Sequence, residues 1–137
     1  MKNAIVTGYS SGIGKSICSI LISNGYSIIR LESRLEDIKS LECEIKDILK
    51  NNDIDLLVNC AGWGICKPHE EISLSKIKEL IDVNLTAPII LTNLLLRSLK
   101  KTRGNIINIS SIEATKHSKF SALYTATKSG LRDFSLT

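Results

Sequence analysis

The sequence has little of what marks several large classes of protein. Only 4% of its 137 residues are aromatic and only two are proline, while 43% are hydrophobic and 23% charged. This balance is typical of a globular chain and excludes fibrous and disordered proteins. A chain of this length forms one domain and buries roughly two thirds of the surface that its unfolded form exposes. We therefore expect a single domain over residues 1–137.

The cysteines are few and are not paired in the sequence. The chain has four, none in a C-x-x-C pair, and it begins without a cationic, apolar signal segment. Cys60 and Cys66 are the nearest two, but no histidine or second cysteine pair lies at zinc-site spacing from them. We expect reduced thiols, no metal site and a cytoplasmic location.

Long apolar runs and concentrated charge are also absent from the sequence. The longest apolar run, around Ala87 to Leu96, is broken by Thr92 and Asn93 and is shorter than the ~18 to 20 residues that span a bilayer. The net charge of +4 is spread out, and its densest stretch, Arg97 to Arg103, is typical of a helix end. We expect a soluble chain whose partners include neither membrane nor nucleic acid.

What the sequence does contain is an alternation of strand-like and helical segments. Apolar runs predict strands at Ala4–Val6, Ser27–Leu31, Asp55–Asn59 and Asn105–Ile109. Helical spacing predicts helices from Ile13 through Leu21, over Ile38–Leu49, over Ser73–Leu99 with an interruption at Pro88, and from Ser121 onward. Strand alternating with helix indicates an open, doubly wound parallel α/β sheet, with both faces covered and near-continuous apolar strands.

Ligands of such sheets bind beyond the carboxyl ends of the strands. Here those ends lead into Gly8–Gly14, Asn59–Gly62 and Ser110-Ser111, so the three segments are predicted to share one edge. In the first of them, the glycines permit a tight turn before a helix whose free N–H groups could hold a pyrophosphate. Gly14-Lys15-Ser16 imitates a P-loop end, but Tyr9 stands where that motif needs its first glycine. A plain strand-to-helix turn is the other interpretation.

Five motifs occur together in one order: Thr7-Gly8-x-x-x-Gly12-x-Gly14, Asn59-Cys60-Ala61-Gly62, Asn84, Ser111 and Tyr124-x-x-x-Lys128. In order and approximate separation they resemble the short-chain dehydrogenase/reductase family, from Lys2 to the last residue. The resemblance implies a Rossmann-type fold, NAD or NADP as cofactor, and an oxidoreductase that moves hydride between nicotinamide and a carbonyl or alcohol substrate.

The resemblance also implies roles for individual residues. Tyr124 would be the acid/base, and Lys128, one helical turn later on the same face, would favour its phenolate, because a free tyrosine titrates near ~10. Ser111 would polarise the substrate carbonyl, and Asn84 would hold a water that links Lys128 to solvent. Cofactor contacts are implied for Gly8, Ser10, Ser11, Gly12, Ile13, Gly14, Asn59, Ala61, Gly62, Tyr124 and Lys128.

Several features depart from the family pattern. The sequence ends nine residues after Lys128, so we expect a truncated member that lacks C-terminal strands, and the stretch between Gly14 and Asn59 is short by a helix and a strand. Glu32 lies where an acidic residue would bind the adenosine ribose and favour NAD, whereas Arg34 could contact the 2′-phosphate of NADP. The sequence slightly favours NAD.

Two further differences lie beside the expected cofactor. Cys60 stands where the family commonly has a second asparagine, and Trp63 follows the same turn. The alternative function is a catalytically inactive nucleotide-binding or dimerising module. The predicted helices over Ser73–Leu99 and from Ser121 onward resemble those through which family members pair, so a homodimer is expected for either function.

Overall fold

The computed structural model describes residues 1–137 and contains one parallel sheet of four strands in the order β2-β1-β3-β4. The strands are β1 (Lys2–Val6), β2 (Tyr26–Ile29), β3 (Leu56–Asn59) and β4 (Asn105–Asn108). The helices are α1 (Gly12–Ser23), α2 (Ile38–Asn51), α3 (Leu74–Ile81), α4 (Ala87–Thr102), α5 (Glu113–Lys116) and α6 (Ala122–Leu136), with a short 3-10 turn at His69–Glu71. The predicted α/β class is confirmed.

The register of the sheet brings the carboxyl ends of its strands to one edge. Ile5 of β1 lies opposite Leu57 of β3, and Leu57 lies opposite Ile106 of β4. Because all four strands are parallel, the turns that follow β1, β3 and β4 leave the sheet on the same side. The predicted convergence of these three segments is thus a property of the fold.

The two faces of the sheet are covered unequally. On one face, Ile5 and Leu57 pack with residues of α2 and α4 in a nine-residue buried cluster. On the other, a smaller cluster around Val6 and Val58 packs against Ile17 and the neighbouring residues of α1. Alternate residues of each strand supply the two clusters, as the pleat of a strand requires.

Two details of the predicted packing are wrong. Ile106–Ile109 was expected in a strand buried on both faces, but β4 is an edge strand and Ile107 is 46% exposed. Ile13 and Ile20, which belong to the apolar spacing that predicts the first helix, are 63% and 62% exposed and are not covered by the sheet. A period of 3.6 residues indicates which side of a helix is apolar, but it does not indicate how much of the helix surface the sheet buries.

The short connection between β2 and β3 is confirmed. β2 ends at Ile29, and α2 begins at Ile38 after an Asp37 cap whose carboxylate accepts the Ser40 amide at 3.1 Å. No strand lies between β2 and β3, so α2 crosses directly over the sheet. β2 is therefore an edge strand.

The interruption of the long helix differs from the prediction at Pro88. It is a π-helical turn at Asp82–Thr86, and the amide of Ala87 donates to the carbonyl of Asp82. Pro88 has no N–H to donate to the carbonyl of residue 84, which permits the wider turn just before it. The π turn carries Asn84, which is fully buried.

The helical rod from Leu74 to Thr102 has the length and composition of a membrane span, contrary to the expectation from the sequence. Thr92 and Asn93 interrupt the apolar run, but because they are uncharged they lower its mean hydropathy less than charged residues would. Leu91 and Leu95 of this rod are fully buried in the core of the sheet, and core helices of soluble proteins meet the same criterion.

Candidate active site

The glycine turn after β1 has a conformation that only glycine tolerates at three positions. Gly8 and Gly12 have positive φ angles of 69° and 53°. A Cβ atom added to Gly14 would lie 2.1 Å from the carbonyl oxygen of Gly8, so no side chain can be accommodated there. The hydroxyl of Ser11, at the N-cap of α1, caps no amide, and Ser10 is exposed. The turn therefore presents free backbone and hydroxyl donors in front of a helix N-terminus.

Thr7 ties this turn to the segment that follows β3. Its hydroxyl oxygen accepts the amides of Cys60 and Ala61, each at 3.0 Å. A Cβ at Gly8 would lie 3.0 Å from the Cα of Ala61, so the two segments are in close contact. The sequence motif includes Thr7, but its role as a shared acceptor becomes evident only from the pairing of β1 with β3.

Asn59 lies at the end of β3 and is 2% exposed. Its side-chain nitrogen donates to Oδ1 of Asn108 at 2.8 Å, while its own Oδ1 is buried without a hydrogen-bond partner. Burial raises the pKa of the neighbouring Cys60 thiol, and the positive charge of Lys128 opposes that shift. Cys60 is therefore a neutral thiol close to a buried ammonium group.

Asn84 is held by three hydrogen bonds. Its Nδ2 donates to the carbonyl of Trp63 at 2.8 Å and to the hydroxyl of Thr127 at 3.2 Å, and its Oδ1 accepts the Trp63 amide at 3.1 Å. A Cβ at Gly62 would lie 3.2 Å from both Oδ1 of Asn84 and Nζ of Lys128. The amide oxygen and the ammonium group thus approach Gly62 together.

Lys128 and Tyr124 lie on the same side of α6, as their spacing predicts. Lys128 is 4% exposed and donates to the carbonyl of Ile109 at 2.9 Å, and its Nζ lies 5.9 Å from the centroid of the Tyr124 ring. Burial lowers the pKa of this lysine, because an ammonium group is less stable away from water. The ring of Tyr124 packs on Gly64, where an added Cβ would lie 3.1 Å from it.

The two serines after β4 have different partners. The hydroxyl of Ser110 donates to the carbonyl of Lys128 at 2.9 Å, and the hydroxyl of Ser111 accepts the amide of Glu113 at 3.2 Å. Ser110 therefore anchors this segment to α6. Ser111 is half-buried, two residues beyond the carbonyl that holds the Lys128 ammonium.

The sequence model described as short chain dehydrogenase matches residues 45–137, which include Asn59, Asn84, Ser111, Tyr124 and Lys128. The chain belongs to the short-chain dehydrogenase family. Its sequence is 33% identical to an uncharacterized oxidoreductase of Staphylococcus saprophyticus, over 95% of this chain and 67% of that protein. It is 32% identical to a probable NADP-dependent dehydrogenase of Haemophilus influenzae, over 97% of this chain and 62% of that protein.

Solved structures of short-chain dehydrogenases have the same fold. The alcohol dehydrogenase of Thermococcus sibiricus complexed with 5-hydroxy-NADP superposes with a TM-score of 0.90 at 26% identity, covering 98% of this chain and 68% of that one. A 4-hydroxyisoleucine dehydrogenase complexed with NADH also has a TM-score of 0.90, at 24% identity, over 98% and 66% of the two chains. The present chain spans about two thirds of the length of these relatives.

In this short-chain dehydrogenase, the two residues predicted to select the cofactor are not joined to the site by any hydrogen bond. Arg34 is 78% exposed and pairs with the carboxylate of Glu36. Glu32 is exposed, and its amide donates to a carboxylate oxygen of Glu44 at 2.6 Å. The structure therefore joins Gly62, Asn84, Tyr124 and Lys128 by direct contacts, but not Glu32 and Arg34.

Sequence reasoning missed Glu44 of α2, which fixes the segment after β2. Its carboxylate accepts the amides of both Glu32 and Ser33. Burial raises the pKa of Glu44, but the hydrogen bonds from Ser33 and Glu32 outweigh that effect and hold the pKa below its usual value. Glu44 is one of several acidic residues on α2, and nothing in the sequence distinguishes it from the others.

Proposed function

We propose that this short-chain dehydrogenase is an NAD(P)-dependent oxidoreductase that interconverts a carbonyl compound and an alcohol. The observation that carries the proposal is the buried ammonium of Lys128, which lies beside the Tyr124 ring and next to Asn84 and Gly62. Perturbed titratable groups in a cleft are typical of catalytic sites. Family membership and the oxidoreductase names of the relatives support the same reaction class.

The residues around the glycine turn are suited to a dinucleotide. Because Gly14 has no side chain, the start of α1 packs directly on the carbonyl of Gly8, and Gly8 in turn lies close to Ala61. A turn this tight lets its backbone approach a pyrophosphate. The exposed hydroxyls of Ser10 and Ser11 and the first amides of α1 would hold its oxygens, and Ile13 would border it. The bound nicotinamide would supply or accept the hydride.

Tyr124 would transfer the proton. Its hydroxyl would donate to the oxygen of the carbonyl substrate during reduction and take the proton back during oxidation. The ammonium of Lys128 would stabilise the phenolate by charge, an effect that burial strengthens because the local dielectric is low. Ser111 would hold the substrate oxygen near Tyr124 through its hydroxyl.

Asn84 would support proton exchange with solvent. Its side chain fixes the backbone of Trp63 from both sides, and Gly62 leaves open the space next to its oxygen and the Lys128 ammonium. A water there would hydrogen-bond both groups and return a proton to Lys128 after turnover. The π turn would thus serve the relay by aiming Asn84 inward.

The test combines binding and turnover. Wild type, Tyr124→Phe and Tyr26→Phe are titrated with NADH and NADPH by calorimetry and then assayed with a panel of ketones and secondary alcohols. Tyr26→Phe is the matched control, because Tyr26 begins β2 at the opposite edge of the sheet from the site. We expect all three to bind cofactor, turnover in wild type and Tyr26→Phe, and a loss of at least about a hundredfold in Tyr124→Phe. Full turnover by Tyr124→Phe would contradict the assigned role. If wild type and both variants bound a dinucleotide and none of them turned over a substrate, the alternative function, a nucleotide-binding module, would be favoured.

A further inference from the structure

The buried ammonium group of Lys128 has a single hydrogen-bond acceptor in the chain, and that acceptor is a backbone carbonyl. Lys128 is 4% exposed, and its Nζ donates to the carbonyl of Ile109 at 2.9 Å. It takes part in none of the seven ion pairs of the chain. The titratable groups that face it are the Tyr124 phenol on its own helix and the Cys60 thiol after β3. The position of the ammonium group therefore depends on the Ile109 carbonyl.

The Ile109 carbonyl lies between two anchors. Before it, the amide of Ile109 donates to the carbonyl of Asn59 at 2.9 Å, which ties this residue to the end of β3. After it, the hydroxyl of Ser110 donates to the backbone carbonyl of Lys128 at 2.9 Å. The contact with α6 is thus reciprocal, because Ile109 holds the side chain of Lys128 and Ser110 holds its backbone. Two hydrogen bonds fix the direction as well as the distance between the two segments, whereas either bond alone leaves a pivot.

The hydroxyl of Ser110 is not required to form α6. The carbonyl of Lys128 also accepts the amide four residues later, as in any α-helix, so it keeps a partner when the hydroxyl is removed. The helix is tied to β4 at a second point, where the side-chain nitrogen of Asn108 donates to the hydroxyl of Ser135 at 2.8 Å. We therefore expect the loss of the Ser110 hydroxyl to displace Lys128 rather than to unfold the chain.

Burial makes the ammonium group sensitive to such a displacement. A hydrogen bond from the ammonium favours the charged form, and it is stronger where the local dielectric is low. Burial already lowers the pKa of Lys128, and a weaker bond to Ile109 would lower that pKa further. A displaced ammonium would also stabilise the Tyr124 phenolate less, because the attraction between two charges falls with distance.

We propose that Ser110 is a positioning residue for the reaction: its hydroxyl holds the backbone of Lys128 so that the ammonium group stays on the Ile109 carbonyl, beside Tyr124. The inference rests on the proposed function, because Ser110 acts through Lys128. Its role differs from that of Ser111, whose hydroxyl is assigned to the substrate oxygen. The two adjacent serines look alike in the sequence, and only their hydrogen-bond partners distinguish them.

NMR of the chain with isotope-labelled lysine follows the titration of Lys128 without any turnover. We expect Lys128 to titrate at a lower pH in Ser110→Ala than in wild type, because its bond to Ile109 is weakened. Ser110→Thr keeps the hydroxyl and should restore the wild-type titration. Ser129→Ala is the matched control, because it removes another serine hydroxyl that ties α6 to the segment after β4, through the carbonyl of Ala114 at 3.1 Å. It should leave the titration of Lys128 unchanged.

The same variants are assayed with NADH, NADPH and the panel of ketones and secondary alcohols. With the substrate that wild type turns over fastest, kcat of Ser110→Ala should fall by about tenfold while KM stays within about twofold, since the ammonium acts on the proton transfer rather than on substrate binding. Ser110→Thr and Ser129→Ala should match wild type. If Ser110→Ala does not fold, Ser110→Cys takes its place, because a thiol has nearly the same shape and is only a weak donor.

The possible failures point to different errors. No turnover by wild type with any member of the panel would overturn the proposed function. If wild type is active, an unchanged titration of Lys128 or an unchanged kcat in Ser110→Ala would overturn the inference alone. A loss of kcat that Ser129→Ala shares, or that Ser110→Thr does not restore, would also overturn it, because the effect would then not come from the hydroxyl that holds Lys128.

Discussion

Replacing Thr7 by valine removes one hydroxyl and almost no volume. That hydroxyl oxygen accepts two backbone amides, those of Cys60 and Ala61, each at 3.0 Å. Thr7 is 5% exposed and the two amides belong to half-buried residues. The substitution therefore leaves two donors without their acceptor at the point where the segments after β1 and β3 meet.

The expected cost follows from these contacts. A buried donor that loses its acceptor costs about 1–3 kcal/mol. Because Cys60 and Ala61 are only half-buried, water can partly replace the hydroxyl, and we take the lower part of the range, about 2–3 kcal/mol for the pair. For a domain of this size, this loss corresponds to a melting temperature lower by roughly 6–12 °C.

Urea unfolding followed by circular dichroism measures the change. The midpoint for Thr7→Val should fall by about 1–2 M, with an unchanged slope. Thr7→Ser is the matched control because it keeps the hydroxyl and loses only a methyl group, so we expect a cost below about 1 kcal/mol. If Thr7→Val were within about 0.5 kcal/mol of wild type, Thr7 would not tie the two segments together.

Three further predictions concern the site itself. Gly14→Ala would place a Cβ 2.1 Å from the carbonyl oxygen of Gly8, so we expect a distorted turn and a loss of at least about tenfold in calorimetric affinity for the preferred dinucleotide. Asn84→Leu removes three hydrogen bonds and should cost roughly 2–4 kcal/mol in urea unfolding, with a shift in the emission of Trp63, whose backbone it releases. Burial lowers the pKa of Lys128 in the folded chain from 10.5. Between the folded pKa and 10.5, the unfolded state therefore binds more protons than the folded state. The free energy of unfolding of wild type, relative to Lys128→Met, should rise as pH increases through that window.

Each of these predictions has a control or an outcome that contradicts it. Ser16→Ala, on the exposed side of the first turn of α1, should leave cofactor affinity unchanged where Gly14→Ala does not. Unaltered Trp63 emission in Asn84→Leu would mean that the π turn does not position the segment around Trp63. A stability difference between wild type and Lys128→Met that is constant from neutral pH to pH 10.5 would refute a lowered pKa for Lys128.

The sheet and the assembly of the site follow from simple rules applied to the sequence. Parallel strands end at one edge, so turns that begin at Gly8, Asn59 and Ser110 had to meet there. Tyr124 and Lys128 are four residues apart, and a helix places such residues on one side. To predict these positions, it is enough to know which segments are strands or helices and in which direction they run. Apolar runs and glycines in the sequence indicate both.

What the sequence could not predict depends on the packing between elements. The π turn at Asp82–Thr86 arises where a proline and a buried asparagine coincide, and helical periodicity alone cannot locate it. The residues that contact Arg30 and Arg34 could not be predicted from the sequence either. Both arginines follow β2, yet one lies over an aromatic ring beside an acid-free cavity and the other among carboxylates. This difference is set by α1, α2 and α3, which are distant in the sequence.

In the proposed reaction, Tyr124 moves a proton while the nicotinamide carries hydride. The most direct measurement follows deuterium by mass spectrometry after the chain is incubated with a mixture of ketones and a nicotinamide dinucleotide deuterated at the transferable position. We expect one deuterium on the carbinol carbon of a product alcohol in wild type, and at least about a hundredfold less in Tyr124→Phe. Equal incorporation in both, or none in a wild-type chain saturated with the dinucleotide, would contradict it.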